Sequence, residues 1–316
     1  MAQLVYGDKE YQLNAGETVL ECLLRHSIEY PHSCQAGVCQ SCLIKSTGQI
    51  ETAWQEGIQE TLKAQGYFLA CLAKPCHDLK LLPPLANECE VNAQILSLNK
   101  LNHNVLQVRL SVENLMPWTP GQYLNWVHPQ GIIRSYSIAN LPMQDGFIEL
   151  HIKLLNQGAM SQWLQKEAKI NDLIKIRGPL GKCFYFNPQK LNYDILLAGT
   201  GTGLAPLLAI VRDALSQQHR GEINLIHACL TNQDLYCVNE LKNLAAFYPQ
   251  FHYHRCVLKS DSGPSESIEH YILGYMSHPK NLKVFICGPS EITHQLKMKA
   301  FCAGVPSSQI FSDAFL

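Results

Sequence analysis

The sequence predicts a multidomain fold, α+β at its start and α/β at its end, with an antiparallel β-barrel between. Three observations carry that prediction. A cysteine-rich loop lies between Pro31 and Cys71 and is flanked by short strand and helix signals. The middle of the chain shows period-two alternation of apolar and polar residues. The last third opens with an apolar run, a glycine turn and a helical stripe. The 316 residues suit two or three domains, and 47% apolar with 16% charged residues describes an ordinary globular core. A net charge of −1 gives no basic footprint, so nucleic acid is not an expected partner.

Residues 1–85 come first. Leu4–Tyr6 and Tyr11–Leu13 flank Gly7-Asp8, a hairpin signal. Thr18-Val-Leu-Glu21 is a capping box, and the helix it opens is expected to bury Val19, Leu23 and Leu24. In HSCQAGVCQSC, Cys34, Cys39 and Cys42 have the spacing C-x4-C-x2-C, and Cys71 follows in LACLAKP. By pattern match this is the plant-type [2Fe–2S] spacing. Two bridged irons need four thiolates, and a tight loop wraps three of them while its N–H groups turn toward sulfur. Ala36, Gly37 and Ser41 are small enough for such a loop, and Gly37 takes positive φ without strain. A zinc knuckle or chance cysteines are the alternatives, although the second C-x2-C pair usual for zinc is missing. Cys76 and His77 are expected to form a structural pair. Leu82-Pro-Pro-Leu85 reads as a stiff linker.

Seven further cysteines, Cys22, Cys89, Cys183, Cys229, Cys237, Cys256 and Cys302, lie mostly in apolar runs and are expected to be buried free thiols. That usage implies a reducing compartment. The start, MAQLVYGDKEYQ, has no apolar signal core, and no apolar run reaches membrane-span length. A soluble, cytoplasmic protein is the expectation.

In residues 86–190, Leu106, Val108 and Leu110 alternate with Gln107 and Arg109. Ile148, Leu150, Ile152 and Leu154 alternate with Glu149, His151 and Lys153. With Pro120-Gly121, Pro129 and Gly178-Pro179 as breaks, these strands predict the barrel. Within it lie Arg134-Ser135-Tyr136-Ser137, then Gly158-Ala-Met160-Ser161 before Trp163-Leu164, and Gly178-Pro-Leu-Gly181. In residues 191–316, Asp194–Ala198 runs into Gly199-Thr200-Gly201-Thr202-Gly203. A helical stripe follows at Leu204, Leu207, Leu208, Val211 and Leu215, with Pro206 in its first turn. Strand, glycine turn and helix form a pyrophosphate site, since N–H groups and the helix dipole face the anion. Strands at 224–230, 251–258 and 284–287 complete a doubly wound parallel sheet. The run Cys287-Gly288-Pro289 ends the last of them.

These motifs resemble known families. The first segment resembles a β-grasp ferredoxin domain, although ferredoxins often carry Arg or Ser where Gln35 stands and Gly where Gln40 stands. The rest resembles the ferredoxin–NADP⁺ reductase superfamily through R-x-Y-S, G-x-x-S, G-P-x-G, G-x-G-x-x-P and C-G-P. That resemblance implies a barrel domain holding a flavin and a nucleotide domain holding the nicotinamide. Arg134 would neutralise flavin phosphate, Tyr136 would pack on the flavin, and Ser137 would bond near its N5. Ser135, His151, Gly158, Met160 and Ser161 are further candidate contacts. Cys287 would sit beside the nicotinamide ring, and Phe315, in the tail Phe311–Phe315, would cover the flavin face, with Asp313 tuning protonation. FAD rather than FMN follows from the resemblance, not from the residues.

For the dinucleotide, Gly199 to Gly203, Pro206, Asp234 and Cys287 to Pro289 are the candidates. Asp234 would repel a 2′-phosphate, so NADH is favoured; Arg255 and Lys259, on a different strand, keep NADPH open. As a whole the chain resembles the reductase components of bacterial multicomponent oxygenases, such as benzoate dioxygenase and methane monooxygenase reductases. The implied enzyme carries electrons from NADH through FAD and [2Fe–2S] to an acceptor protein. The reductase of deoxysugar biosynthesis, resembling CDP-6-deoxy-3,4-glucoseen reductase, has the same modules and a dehydrase as acceptor. A non-catalytic redox sensor is the alternative of another class.

Overall fold

A computed structural model describes residues 2–315 except 33, 59, 83–89, 113–117, 129, 188–191, 260–266 and 277. Pro83 to Leu85 of the linker, Cys89, Pro129 and the expected boundaries near 85 and 190 therefore lie outside the described residues. The fold divides into two compact units. One takes Met1–Asn92 with Asn125–Ser135 and Ile174–Gly181; the other takes Ala93–Leu124, Tyr136–Leu173 and Lys182–Leu316.

The first segment holds β1 (Gln3–Tyr6), β2 (Lys9–Gln12), α1 (Val19–Arg25), β3 (Leu43–Ser46), α2 (Glu60–Ala64), β4 (Tyr67–Leu69) and β5 (Leu79–Leu82). The sheet order is β2-β1-β5-β3-β4, parallel at β1–β5 and antiparallel elsewhere. Helix α1 begins as the capping box requires: the Glu21 N–H donates to Thr18 Oγ (3.1 Å) and the Thr18 N–H to Glu21 Oε2 (2.8 Å). Its buried side is Val19, Leu20, Cys22 and Leu23, with Leu24 only half-buried, which corrects the expected stripe. The reason lies at its N-terminus, where the N–H groups of Val19 and Leu20 bond the carbonyls of Ala73 and Ala70. Those bonds dock the helix against the Cys71 loop and set its rotation.

The second segment holds β6 (Val91–Lys100), β7 (Val105–Val112), β8 (Tyr123–Val127), β9 (Ile133–Ser137), α3 (Pro142–Asp145), β10 (Ile148–Lys153), α4 (Ala159–Lys166) and β11 (Leu173–Leu180). They form a six-stranded sheet in the order β10-β7-β6-β11-β8-β9. An antiparallel bridge between Ile138 and Leu150 brings the two ends of that order together, as a barrel requires. Strand β7 alternates as expected. Strand β10 does not, because Glu149 and His151 are as buried as the leucine and isoleucines between them. They satisfy one another, His151 Nε2 to Glu149 Oε1 at 3.1 Å, and Arg109 Nε reaches Glu149 Oε2 at 2.8 Å from the register-matched position on β7.

The third segment alternates β12 (Asp194–Thr200), α5 (Leu204–Ser216), β13 (Ile223–Cys229), α6 (Val238–Phe247), β14 (Phe251–Val257), α7 (Ile268–Gly274), β15 (Leu282–Pro289), α8 (Ser290–Cys302) and β16 (Ile310–Phe315). All five strands are parallel, in the order β14-β13-β12-β15-β16. Alternate residues of β12 serve different cores: Ile195 and Leu197 pack with α5, while Leu196 and Ala198 share a core with α7 and α8. A parallel sheet covered on both faces reads as one apolar run for this reason. The strand order reverses between β12 and β15, which is the switch point where such sheets bind ligands. Among the described residues no helix is long and apolar enough to cross a membrane.

Candidate functional site

The cysteine loop curls around sulfur. The N–H groups of Ala36, Val38 and Cys39 lie 3.4, 3.3 and 3.3 Å from Cys34 Sγ, and the Cys34 N–H lies 3.4 Å from Cys39 Sγ. The thiols fall into two facing pairs, Cys34 with Cys39 and Cys42 with Cys71. Two pairs match a two-iron cluster with two thiolates per iron, and inward N–H groups offset its negative charge. The Cys39 thiol and then the surrounding N–H groups hold Cys34 down to about 5, and Cys42 holds Cys71 down likewise. Cys39 and Cys42 are pushed up, each chiefly by the thiol it faces. The residues therefore fit a [2Fe–2S] cluster.

The loop needs more left-handed backbone than its glycine provides. Gln35, Gly37 and Gln40 have φ of 49°, 76° and 56°. At Gly37 a Cβ would also lie 2.7 Å from Leu72 Cδ1. Gln40 is held by its side chain, whose Nε2 donates to the Gly57 carbonyl at 2.8 Å. Cys76 and His77 do not pair. His77 Nε2 bonds the Gln49 carbonyl at 3.0 Å and its ring stacks on Trp54, while Cys76 is exposed. Cys302 is exposed as well, against the expectation of a buried thiol, since it ends α8 on the solvent side.

A second constellation forms at the carboxyl ends of β15 and β16. Cys287 is register-matched to Asp313, and Pro289 to Phe315. Ser137, at the end of β9, donates from Oγ to Asp313 Oδ2 at 2.9 Å. Burial pushes the Asp313 carboxyl up to about 6, the Ser137 bond opposing. Cys287 is buried, and its thiol is pushed well up by that burial and by Cys183, whose Sγ is 3.7 Å away. Cys183, which follows the G-P-x-G turn, is buried as expected, but its contact with Cys287 was not foreseen, because that partner is 104 residues distant. Tyr136 and Phe315 are half-buried, and Arg134 is exposed with Nη1 on the Ile133 carbonyl at 2.8 Å.

The glycine turn closes on this site. Gly201 (φ 55°) has open space where a side chain would stand, whereas a Cβ on Gly199 would meet Leu207 at 2.8 Å and one on Gly203 would strike the Cys287 carbonyl. Gly288, in turn, lies against Thr200 Oγ1. Gly201 thus leaves room for a ligand, while Gly199 and Gly203 let helix and strand approach. Thr200 Oγ1 is buried without a protein partner, as are the Tyr236 hydroxyl and His151 Nδ1. Tyr236 stands edge-on to His151 and His227, with centroids 5.3 and 5.4 Å away. Burial lowers His227 to about 4, so it is neutral. Orphaned polar atoms beside an open glycine fit a bound dinucleotide. Gly158 caps α4 without a side-chain bond; Met160 and Ser161 are buried, and Ser161 Oγ accepts the Leu155 N–H at 3.0 Å. Pro206 stands in the first turn of α5. Asp234 is engaged: Oδ2 accepts the Thr231 N–H (2.9 Å) and hydroxyl (2.7 Å), and His103 Nε2 is 3.4 Å from Oδ1. Arg255 and Lys259 are exposed.

Three known domain families match successive segments of the chain. The 2Fe-2S iron-sulfur cluster binding domain matches residues 5–76, the oxidoreductase FAD-binding domain 92–185, and the oxidoreductase NAD-binding domain 197–297. The chain is thus an NAD(P)H oxidoreductase with [2Fe–2S], FAD and NAD(P)H as its cofactors. It is 28% identical over 320 residues to the toluate 1,2-dioxygenase electron transfer component of Pseudomonas putida, covering 96% of this chain and 93% of that protein. It is 26% identical over 316 residues to the CDP-6-deoxy-L-threo-D-glycero-4-hexulose-3-dehydrase reductase of Yersinia pestis, covering 95% and 93%. Amycolatopsis cytochrome P450 reductase GcoB shares the fold, with a TM-score of 0.70 at 24% identity, covering 100% of this chain and 99% of that one.

Proposed function

We propose that the chain is the NADH-dependent reductase of a bacterial multicomponent oxygenase, taking hydride at the Ser137–Asp313–Cys287 site and releasing single electrons from the cysteine loop to the oxygenase. The meeting of Ser137, Asp313 and Cys287 at the open end of the parallel sheet carries this reading. Bound FAD supplies the change from a two-electron hydride to single electrons. In this reading Arg134 would neutralise its phosphate, Ser135, His151, Gly158, Met160 and Ser161 would line its site, and Tyr136 and Phe315 would pack on its ring. The Ser137 hydroxyl, fixed by Asp313, would serve the flavin nitrogen whose protonation changes. Asp313, half-protonated near pH 6, would take or return that proton through Ser137 once FAD is bound. The buried, neutral Cys287 thiol would pack beside the nicotinamide without adding charge. Gly199 to Gly203, Pro206, Gly288 and Pro289 hold the dinucleotide, and Cys34, Cys39, Cys42 and Cys71 bind the irons.

Asp234 supports NADH. Thr231 hydrogen bonds pull its carboxyl down against the effect of burial, so it stays ionised just past the end of β13, where the ribose 2′ position lies in such sheets. Three modules, 1–85, 86–190 and 191–316, are consistent with the matched segments. Beside the four cluster candidates, the described residues hold eight cysteines without a disulfide, which supports a reducing, cytoplasmic setting.

Cys39→Ser tests the electron route. Cytochrome c reduction should fall to background, while ferricyanide reduction, which draws on the flavin, stays within about twofold. Equal loss of both with flavin still bound would sink the route. The Yersinia relative favours a dehydrase as second possible acceptor. Adding purified oxygenase or dehydrase components to NADH and the reductase, and following NADH oxidation, separates the two.

A further inference from the structure

Asn125, on β8, is 1% exposed, and its amide spends both ends on two distant partners. Nδ2 donates to the carbonyl of Cys39 at 2.8 Å, and Oδ1 accepts the hydroxyl of Ser135 at 2.7 Å. The orientation follows from the partners, since only the NH2 end can donate to a carbonyl. All three residues belong to one compact unit. The next residue, Gln40, is held from the other side by its bond to the Gly57 carbonyl. The backbone at Cys39 and Gln40 is therefore pinned twice, once within its own module and once from the barrel strand.

We propose that Asn125 is a positioning residue for electron exit: it fixes the backbone of Cys39 against the strand that runs from Ser135 into Tyr136 and Ser137. This rests on the reading of Cys39 as a cluster ligand. From Cys39 Sγ a continuous path runs through its own backbone, the Asn125 amide and the Ser135 hydroxyl, with two hydrogen bonds as its only non-covalent links. The step served moves one electron from reduced flavin to the cluster, taking one ferric iron to ferrous and forming no bond. Its rate depends steeply on separation, and misplacement of about 1 Å at a redox or catalytic contact is costly. A core position needing only to be filled would hold an apolar side chain, because a buried amide is tolerated only when bonded. Here each bond ends on a residue flanking a redox site.

Two variants test it in the holoprotein. Asn125→Asp keeps shape and the Ser135 acceptor but loses the donor to Cys39; Asn125→Leu removes both bonds. With iron and flavin content equal to the parent, stopped-flow mixing with NADH should show flavin bleaching within about twofold of the parent and cluster bleaching slowed about tenfold or more. Hydrogen exchange of the 35–41 loop should rise in both. If the leucine variant loses iron, the aspartate variant carries the test. Cluster bleaching at the parental rate, or unchanged exchange in the loop, would reduce Asn125 to a satisfied core polar group. If the parent's own cluster never bleaches with NADH, the electron route itself fails and the role of Asn125 in it falls too, an outcome separate from a parental rate in the variants.

Discussion

Asp313 is an acid in the wrong solvent. The unfolded chain ionises it near the ordinary 3.8, while burial raises it to about 6 in the folded state. A carboxyl raised on folding adds stability that is complete below the unfolded value and is lost as pH climbs through the folded one. By pH 8 the folded protein carries that cost in full, about 3 kcal/mol for a gap of about two units. Asn at this position still accepts the Ser137 hydroxyl but has no charge to desolvate. Asp313→Asn should therefore melt several degrees higher than the parent at pH 8, with the advantage roughly halved at pH 5. The same variant should reduce flavin more slowly with NADH, and the rate should lose its dependence on pH around 6. A melting difference independent of pH would assign the ionisation elsewhere. The residues of this site differ in how they announce themselves. Ser137, Cys287 and Asp313 stand in short motifs that survive as local strings. Cys183 and Asn125 do not, because each acts on a partner 104 and 86 residues away and leaves no local period. Gln35 and Gln40 hide their left-handed backbone behind a residue type that rarely adopts it, and only the departure from glycine at position 40 hinted at it.

At the scale of elements, the glycine turn and the end of β15 act as one piece. Gly203 has no room for a methyl because the Cys287 carbonyl occupies it, whereas Gly201 has the room but a left-handed φ. The two glycines should fail differently when replaced. Gly203→Ala pushes the β12 turn off β15 and should lower kcat/KM for NADH in ferricyanide reduction by about tenfold or more, with FAD and iron retained. Gly201→Ala meets no protein atom but strains the backbone by about 1–2 kcal/mol and puts a methyl in the ligand's space, so it should raise KM with a smaller change in kcat. Equal effects from both would refute this division of roles. Where an element presents one buried face, its pattern was legible: β7 alternates, and the stripe of α5 is buried throughout. Strand β10 defeated the alternation because its polar face is also covered, by a Glu149–His151–Arg109 network that only tertiary structure assembles. The tail at Ile310–Phe315 read as a motif rather than a strand, since six residues at a sheet edge give little periodicity.

Across the whole molecule, the strand order β14-β13-β12-β15-β16 fixes where a nucleotide enters, and the cysteine spacing fixes where electrons leave. Both were legible because glycine turns and ligand spacings are local strings whose chemistry tolerates little variation. The placement of acceptor surfaces was not, since surface recognition has no such fixed string. The two ends can be counted against each other. FAD takes two electrons and a [2Fe–2S] cluster one, so the holoprotein should bleach fully with about 1.5 NADH per chain under anaerobic titration. Cys39→Ser, with the cluster lost and FAD bound, should stop at about one NADH per chain. The contrast is independent of rates and of any acceptor. A parent that holds a full complement of iron yet stops at about one NADH would show the cluster cut off from the flavin, and the linkage of hydride entry to electron exit in this chain would have to be abandoned.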